Sequence, residues 1–212
     1  RQLEESGFDY GVRSTITNYN VERMKEMIDF FASFPSLKRF HFEPVFECGR
    51  CKKTDTKEPD AELFLERLIE AKEYANQRGC EVYYSGGRLG HATNSFCGAT
   101  GRNFFVTSTG KVIACLEASS QQRDQDKLFC YGSYDGKQFE FDEDKRAHLS
   151  SRVVQNLSHC TDCFAKYNCA GDCLIKVASQ GADMFDTSMN SRCAVNQAVC
   201  LYEINEKLKG GK

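Results

Sequence analysis

CTDCFAKYNCAGDC, the stretch from Cys160 to Cys173, holds four cysteines separated by two, five and three residues. Two residues between cysteines let one tight turn present both sulfurs to a single metal centre. Upstream, Cys97 is followed by twelve residues, Gly110, four residues and Cys115; downstream, Cys193 stands after a gap. The segment NFFVTSTGKVIAC reads as a β-hairpin with Ser108, Thr109 and Gly110 near its turn, which brings Cys97 and Cys115 together from separate strands. The chain holds twelve cysteines in 212 residues, most of them in its second half.

Three chemistries compete for such a pattern. A secreted disulfide framework needs an oxidising compartment, and this chain is long enough to bury a core without staples. Its N-terminus, RQLEESGFDYGV, is charged and lacks the apolar core of a signal peptide. Structural zinc is the second candidate, since C-x2-C pairs are common zinc knuckles. Iron–sulfur ligation, at about four thiolates per cluster, is the third and the favoured one. No stretch approaches the roughly 18 apolar residues of a membrane span. Net charge is −2, with acid and base well mixed, which excludes the basic face of a nucleic-acid binder. The expectation is a cytoplasmic protein with no nucleic-acid and no membrane partner. The chain lacks an initiator methionine and reads as cut from something longer.

The first 90 residues alternate strand and helix. YGVRSTIT is a strand. NVERMKEMIDFF is a helix, with Val21, Met24, Ile28 and Phe31 on one face, Asn20 as N-cap and Pro35 as stop. LKRFHFEP is a second strand, and Asp60 caps a second helix with Phe64, Leu68, Ala71 and Ala75 as its apolar stripe. Gly79 ends that helix, and CEVYY is a third strand. This order implies parallel strands with right-handed crossovers, an α/β architecture. Helices on one face only leave the other face for units outside the chain. From His91 the rhythm stops. YGSYDGKQFEF reads as a second hairpin turning at Asp135-Gly136, DEDKRAHLSSRVVQNL as a helix, and AVNQAVCLYEINEKL as a final helix. The expected division is a 1–90 unit and a cysteine-rich 91–212 unit.

Seven cysteines and Gly110, in this order and spacing, resemble the signature of SPASM domains, the auxiliary-cluster modules of radical-SAM enzymes. The resemblance implies two auxiliary 4Fe-4S clusters. Cys160, Cys163, Cys169 and Cys193 would hold the distal one, and Cys97, Cys115 and Cys173 the nearer one. Some family members supply the fourth ligand of the nearer cluster from a cysteine six residues before the first; here that position is His91. Three options stay open: His91 ligates through imidazole, another cysteine (Cys80, Cys130, Cys200 or Cys48) folds in, or the site is open to a substrate cysteine.

The first half resembles, less specifically, the last strand–helix units of the radical-SAM partial barrel. The resemblance implies that Arg13, near the end of its strand, helps hold S-adenosylmethionine, with Ser14 and Thr15 as weaker candidates. Phe42, Glu43 and Pro44 would lie near the adenine end. A solvent-facing arginine and simple strand termination are the competing readings. The C-x3-C-x2-C motif of a third 4Fe-4S cluster, the one that cleaves S-adenosylmethionine, is absent, and SGGR at Ser85 lacks the acid of the segment that recognises the methionine amine. Both belong to a longer parent. Cys48 and Cys51 form a C-x-x-C pair that reads as a redox dithiol, a pair meeting substrate, or two thiols on a loop. His159 could hydrogen-bond a cluster sulfur. Some sulfatase-maturing relatives place an acid directly after the hairpin cysteine; here Leu116 stands there, with Glu117 next.

The resemblance thus implies part of a radical-SAM oxidoreductase that modifies a peptide or protein substrate, with an electron donor such as a flavodoxin or ferredoxin. The clusters would accept an electron or anchor the peptide, while this portion alone would not cleave S-adenosylmethionine. The alternatives are a non-catalytic peptide-binding or electron-relay module, and a structural zinc domain.

Overall fold

The computed structural model describes residues 2–47, 51, 53–121, 123–179, 184–185 and 191–210. In chain order the elements are α1 (Gln2–Ser6), β1 (Val12–Ile16), α2 (Met24–Ala32), β2 (Arg39–Pro44), α3 (Ala61–Asn76) and β3 (Glu81–Tyr83). There follow β4 (Phe105–Val106), β5 (Lys111–Ile113), α4 (Asp124–Lys127), β6 (Cys130–Tyr134), β7 (Phe139–Phe141), α5 (Glu143–Ser150), α6 (Lys166–Cys169), α7 (Leu174–Ser179) and α8 (Ser191–Gly210). The chain forms two compact units, Arg1–Leu89 with Ser191–Lys212, and Gly90–Asn190. Among the described residues no helix is long and apolar enough to cross a membrane.

In the first unit β1, β2 and β3 form a parallel sheet in that order. Successive side chains alternate faces, so one register decides both. Ile16, Phe40, Phe42 and Val82 point into a core with Met24 and Ile28 of α2, Phe64, Leu68, Ala71 and Ala75 of α3, and Val195 and Val199 of α8. The stripe read from sequence on α3 is buried throughout. The Asp60 carboxylate accepts from the N–H groups of Glu62 and Leu63 at 3.0 Å each, which satisfies two of the four orphan donors of α3.

Asn20 takes the N-cap position of a 3-10 turn ahead of α2 but does not cap it with its side chain. Its side chain makes no capping bond; its Oδ1 accepts from Thr17 N at 2.7 Å and its Nδ2 donates to Thr15 O at 3.1 Å, bracing the turn after β1. A 3-10 turn, Val21–Arg23, precedes α2 instead. The helix expected over residues 142–157 ends at Ser150. The β-branched pair Val153 and Val154 disfavours continuation, and Asn156 Nδ2 donates to the Ser151 carbonyl at 2.6 Å, closing the helix end.

The second division also differs from the expected 91–212 unit, because α8 belongs to the first. Val195 and Val199, four residues apart, lie on one helix face and enter that core. Lys72 Nζ donates to both the Val82 carbonyl and Glu203 at 2.7 Å, tying α3, β3 and α8 together. Tyr84 Oη donates to Asn196 at 2.8 Å. A Cβ on Gly87 would stand 2.8 Å from Val199 Cγ1, so a glycine is what lets this backbone approach α8.

In the second unit β4, β5, β6 and β7 form one antiparallel sheet, so the two hairpins read from sequence join edge to edge. Gly110 takes the turn at φ 76° and would clash there with any side chain, its Cβ standing 2.3 Å from Tyr134 O. Val112, Ala114, Phe129, Tyr131, Leu149, Leu174 and Ile175 form the core beneath.

Replacing Asp60 by Ala is expected to lower the stability of the first unit by about 1 kcal/mol, read by urea denaturation. Asn20→Ala removes no helix cap, and α2 helicity should persist in circular dichroism.

Candidate metal centre

The loop joining α6 to α7 has an unusual backbone. Ala170, Gly171 and Asp172 all adopt left-handed φ, at 55°, 76° and 58°. Left-handed conformation costs a residue with a Cβ about 1–2 kcal/mol, so Ala170 and Asp172 hold strain that their surroundings must enforce. The loop sets Cys169 at its start and Cys173 at its end. Cys160 N–H donates to the Leu157 carbonyl and Cys163 N–H to the Cys160 carbonyl, so the C-x2-C pair sits on consecutive turns.

The reason for the loop lies beneath it. Arg152 is 1% exposed. Its Nε donates to Met184 O at 2.6 Å and its Nη2 to Gly171 O at 2.7 Å. Its Nη1 is buried without a hydrogen-bond partner among the described residues. Burial pushes the guanidinium pKa down, while negative charge on Asp172, Cys160, Cys173 and Cys169 would hold it up. Gly171 has no room for a side chain: a Cβ there would stand 2.5 Å from Leu157 Cδ1 and 3.3 Å from Arg152 Nη1.

In the same unit Cys97 acts electrostatically on both Cys115 and Cys173. Burial raises the Cys115 thiol pKa, and the Cys97 thiol adds to that rise. Burial likewise pushes Cys173 up to about 11, with Asp172 and Cys97 contributing. The N–H groups of Ala118 and Lys176 donate to the carbonyls of Cys115 at 3.0 Å and Cys173 at 3.1 Å, and together with the Glu117 N–H they offset part of the rise that burial gives the two thiols. Cys97 is exposed. Among the described residues, no three His, Cys, Asp or Glu side chains already converge on a point able to hold a metal ion.

A metal-bound sulfur set fits this chemistry. A guanidinium stripped of water and lacking a full complement of acceptors needs anions near it, because an uncompensated buried charge costs about 3–5 kcal/mol. Neutral thiols do not supply that charge. Metal-bound thiolates would, since a coordinating thiol is deprotonated outright.

Cys193 lies in the first turn of α8, within the first unit. Among the fourth-ligand candidates, His91 is exposed and Cys130 is the first residue of β6, both in the second unit. Cys80 and Cys200 are buried in the first unit, and Cys48 lies outside the described residues. Cys51 Sγ donates to Thr56 O at 3.0 Å.

On the first unit's sheet, Arg13 and Glu43 share the polar face. Arg13 pairs with His41, and Thr15 with Glu43. Ser14 lies on the other face of β1 with Val12 and Ile16, opposite Phe42, and so is not brought to Arg13 and Glu43. Arg13 is the second residue of β1 rather than near its end, toward the N-terminal edge of the sheet; Glu43 is toward the C-terminal edge. Glu43 is 5% exposed, accepts from Ser85 Oγ at 2.6 Å and lies 3.4 Å from His41 Nε2 and 3.8 Å from Arg192 Nη2.

Arg152, Asp172 and Arg192 were not among the residues singled out from sequence. The one available signal for Arg152 is that it is the only Lys, Arg, Asp or Glu between Leu149 and Cys160. No protein-family profile matches the chain, and no curated protein matches it either.

Gly171→Ala is expected to destabilise the second unit by roughly 2 kcal/mol or more, because backbone strain and overpacking add. Gly136→Ala, at φ 97° with nothing within 4 Å of a Cβ, should cost only the backbone share of about 1 kcal/mol. Equal losses in urea denaturation of the two variants would contradict the packing of Gly171 on Leu157 and Arg152.

Proposed function

We propose that the chain is part of a radical-SAM/SPASM oxidoreductase acting on a peptide or protein substrate, and that its second unit binds auxiliary 4Fe-4S clusters. The observation that carries the reading is the buried Arg152 guanidinium, whose charge is supported first by Asp172 and then by Cys160, Cys173 and Cys169, which add negative charge only as thiolates. The seven-cysteine register supports the allocation. Cys97, Cys115 and Cys173 are the proposed ligands of one cluster. Cys160, Cys163 and Cys169 are those of the other, whose fourth ligand the sequence register assigns to Cys193.

Clusters bound there would supply one-electron transfer or an iron position for a substrate group. The protein's own part is to hold the sulfurs and keep Arg152 dry beneath. Glu43, held by Ser85 toward the C-terminal edge of the parallel sheet, is the proposed contact to S-adenosylmethionine, because ligands of such sheets bind outside the carboxyl ends of the strands. The cleaving cluster, the donor flavodoxin or ferredoxin and a cytoplasmic setting belong to the same proposal.

Anaerobic reconstitution followed by iron, sulfide and zinc analysis tests it. About eight irons per chain with matching sulfide are expected. One or two zinc ions with no sulfide would replace the reading with a zinc-stapled binding module. In the loaded protein, Arg152→Met is expected to lower the cluster reduction potential, because the more reduced, more negative state loses its buried countercharge. An unchanged potential in voltammetry would remove Arg152 from the account.

A further inference from the structure

Cys97 and Cys115 lie on different segments of the second unit, and one side chain joins those segments. Cys97 opens a tight turn. Thr100 Oγ1 donates to the Cys97 carbonyl at 3.1 Å, and the N–H groups of Arg102 and Asn103 donate to the Gly98 carbonyl at 3.0 and 2.7 Å. Cys115 follows β5. Its neighbour Ala114 is fully buried, and the Ala114 N–H donates to the Phe129 carbonyl at 2.8 Å. Asn103 bridges the two segments. Its Nδ2 donates to the Ala114 carbonyl at 3.2 Å, and its own carbonyl accepts from Tyr131 Oη at 2.7 Å. Counting two residues outward from the Phe105–Ile113 pair of β4 and β5 puts Asn103 level with Cys115.

The Asn103 carboxamide lies over Gly98. A Cβ on Gly98 would stand 2.6 Å from Asn103 Cγ, so a glycine next to Cys97 is what leaves room for the bridging side chain. Beyond Cys115 a second set of bonds fixes the chain. Arg123 Nη2 donates to the Glu117 carbonyl at 3.0 Å, and Gln121 Nε2 to the Ala118 carbonyl at 2.6 Å. Arg123 is held in turn by the fully buried Asp126, whose Oδ1 accepts from Nε at 2.8 Å. The backbone around Cys115 is thus pinned on both sides, while the exposed Cys97 is tied to it through Asn103. Groups that orient ligand-bearing segments in this way govern metal affinity almost as strongly as the ligands do.

We propose that Asn103 is the positioning residue that holds the Cys97 turn against Cys115, so that both thiols close on one centre. The assignment rests on the proposed function in taking these two thiols as ligands of one cluster. The arrangement itself belongs to the polypeptide and can be read without iron.

The test treats the full chain, without metal, with phenylarsine oxide. One arsenic atom forms two As–S bonds, and the two thiol protons leave with its oxygen as water, so a bridge reports two sulfurs within reach of one atom. Peptide mapping by mass spectrometry names the pair, and titration gives its affinity. Cys97 and Cys115 should be bridged to each other. Asn103→Ala, and Asn103→Asp, which keeps the shape but loses the N–H donor, should each weaken the bridge about five- to tenfold, the scale of one hydrogen bond. Gly98→Ala should do the same by displacing the carboxamide. Combined with Asn103→Ala it should add little, because both remove one contact. Asp142→Ala removes the carboxylate that accepts from Lys145 N at 3.0 Å at the start of α5, in the same unit, and should leave the bridge unchanged although it costs about 1 kcal/mol of stability. If Asn103→Ala does not fold, Gly98→Ala carries the test. Bridging of Cys97 to another cysteine, fully additive losses, or an equal loss in Asp142→Ala would overturn the proposal. Iron analysis of the same proteins separates the two claims: the expected bridging pattern without iron uptake sinks only the cluster reading, and full iron uptake with an unchanged bridge in Asn103→Ala sinks only this one.

Discussion

Arg152 sets the condition that the second unit has to satisfy. A guanidinium is permanently charged, and this one is removed from water with one of its nitrogens unsatisfied. Two backbone carbonyls hold it, one of them from Gly171, in a loop that strains two residues with side chains to pass over it. Folding a chain around such a group is costly unless negative charge is close by. Asp172 provides some. The sulfurs of Cys160, Cys169 and Cys173 provide the rest only as thiolates, and metal ligation is the ordinary way for buried thiols to become so. The left-handed loop and the packing of Gly171 both serve to close a dry pocket over this cation.

The first unit solves a different problem with simpler means. Its parallel sheet puts apolar residues on one face, under α2, α3 and α8, and polar ones on the other. Because alternate residues take opposite faces, the same strand that supplies Phe40 and Phe42 to the core supplies Arg39, His41 and Glu43 to the polar face. Arginines lie toward the N-terminal edge and the buried carboxylate toward the C-terminal edge.

Most of the first unit was legible in its sequence because its signals are local. Asp60 precedes an apolar stripe at helical spacing, Gly79 follows it, and alternation in LKRFHFEP fixes both faces of β2. The hairpin turns at Gly110 and Asp135-Gly136 were legible for the same reason. Asn20 misled because its side chain can brace a turn as readily as cap a helix, and the choice depends on Thr15 and Thr17. The extent of α5 misled because Val153, Val154 and Asn156 act after the periodic stretch. The place of α8 was invisible, since its partners Phe64, Tyr84 and Gly87 lie more than a hundred residues away in the chain. The cysteine spacing suggests a metal centre, which is the reading proposed above. Arg152, on which the structural case for it rests, has no motif at all: its meaning comes from the carbonyls of Gly171 and Met184, which only the fold brings to it.

The most direct test of the central claim is the reactivity of Cys97. Its thiol is exposed in the polypeptide alone, so nothing but a bound metal centre should protect it. Anaerobic alkylation read by mass spectrometry, before and after loading with iron and sulfide, measures this residue by residue. Loading should make Cys97 resistant together with Cys115 and Cys173, while Cys51 continues to react at its original rate. Alkylation of Cys97 at the same rate before and after loading would contradict the account.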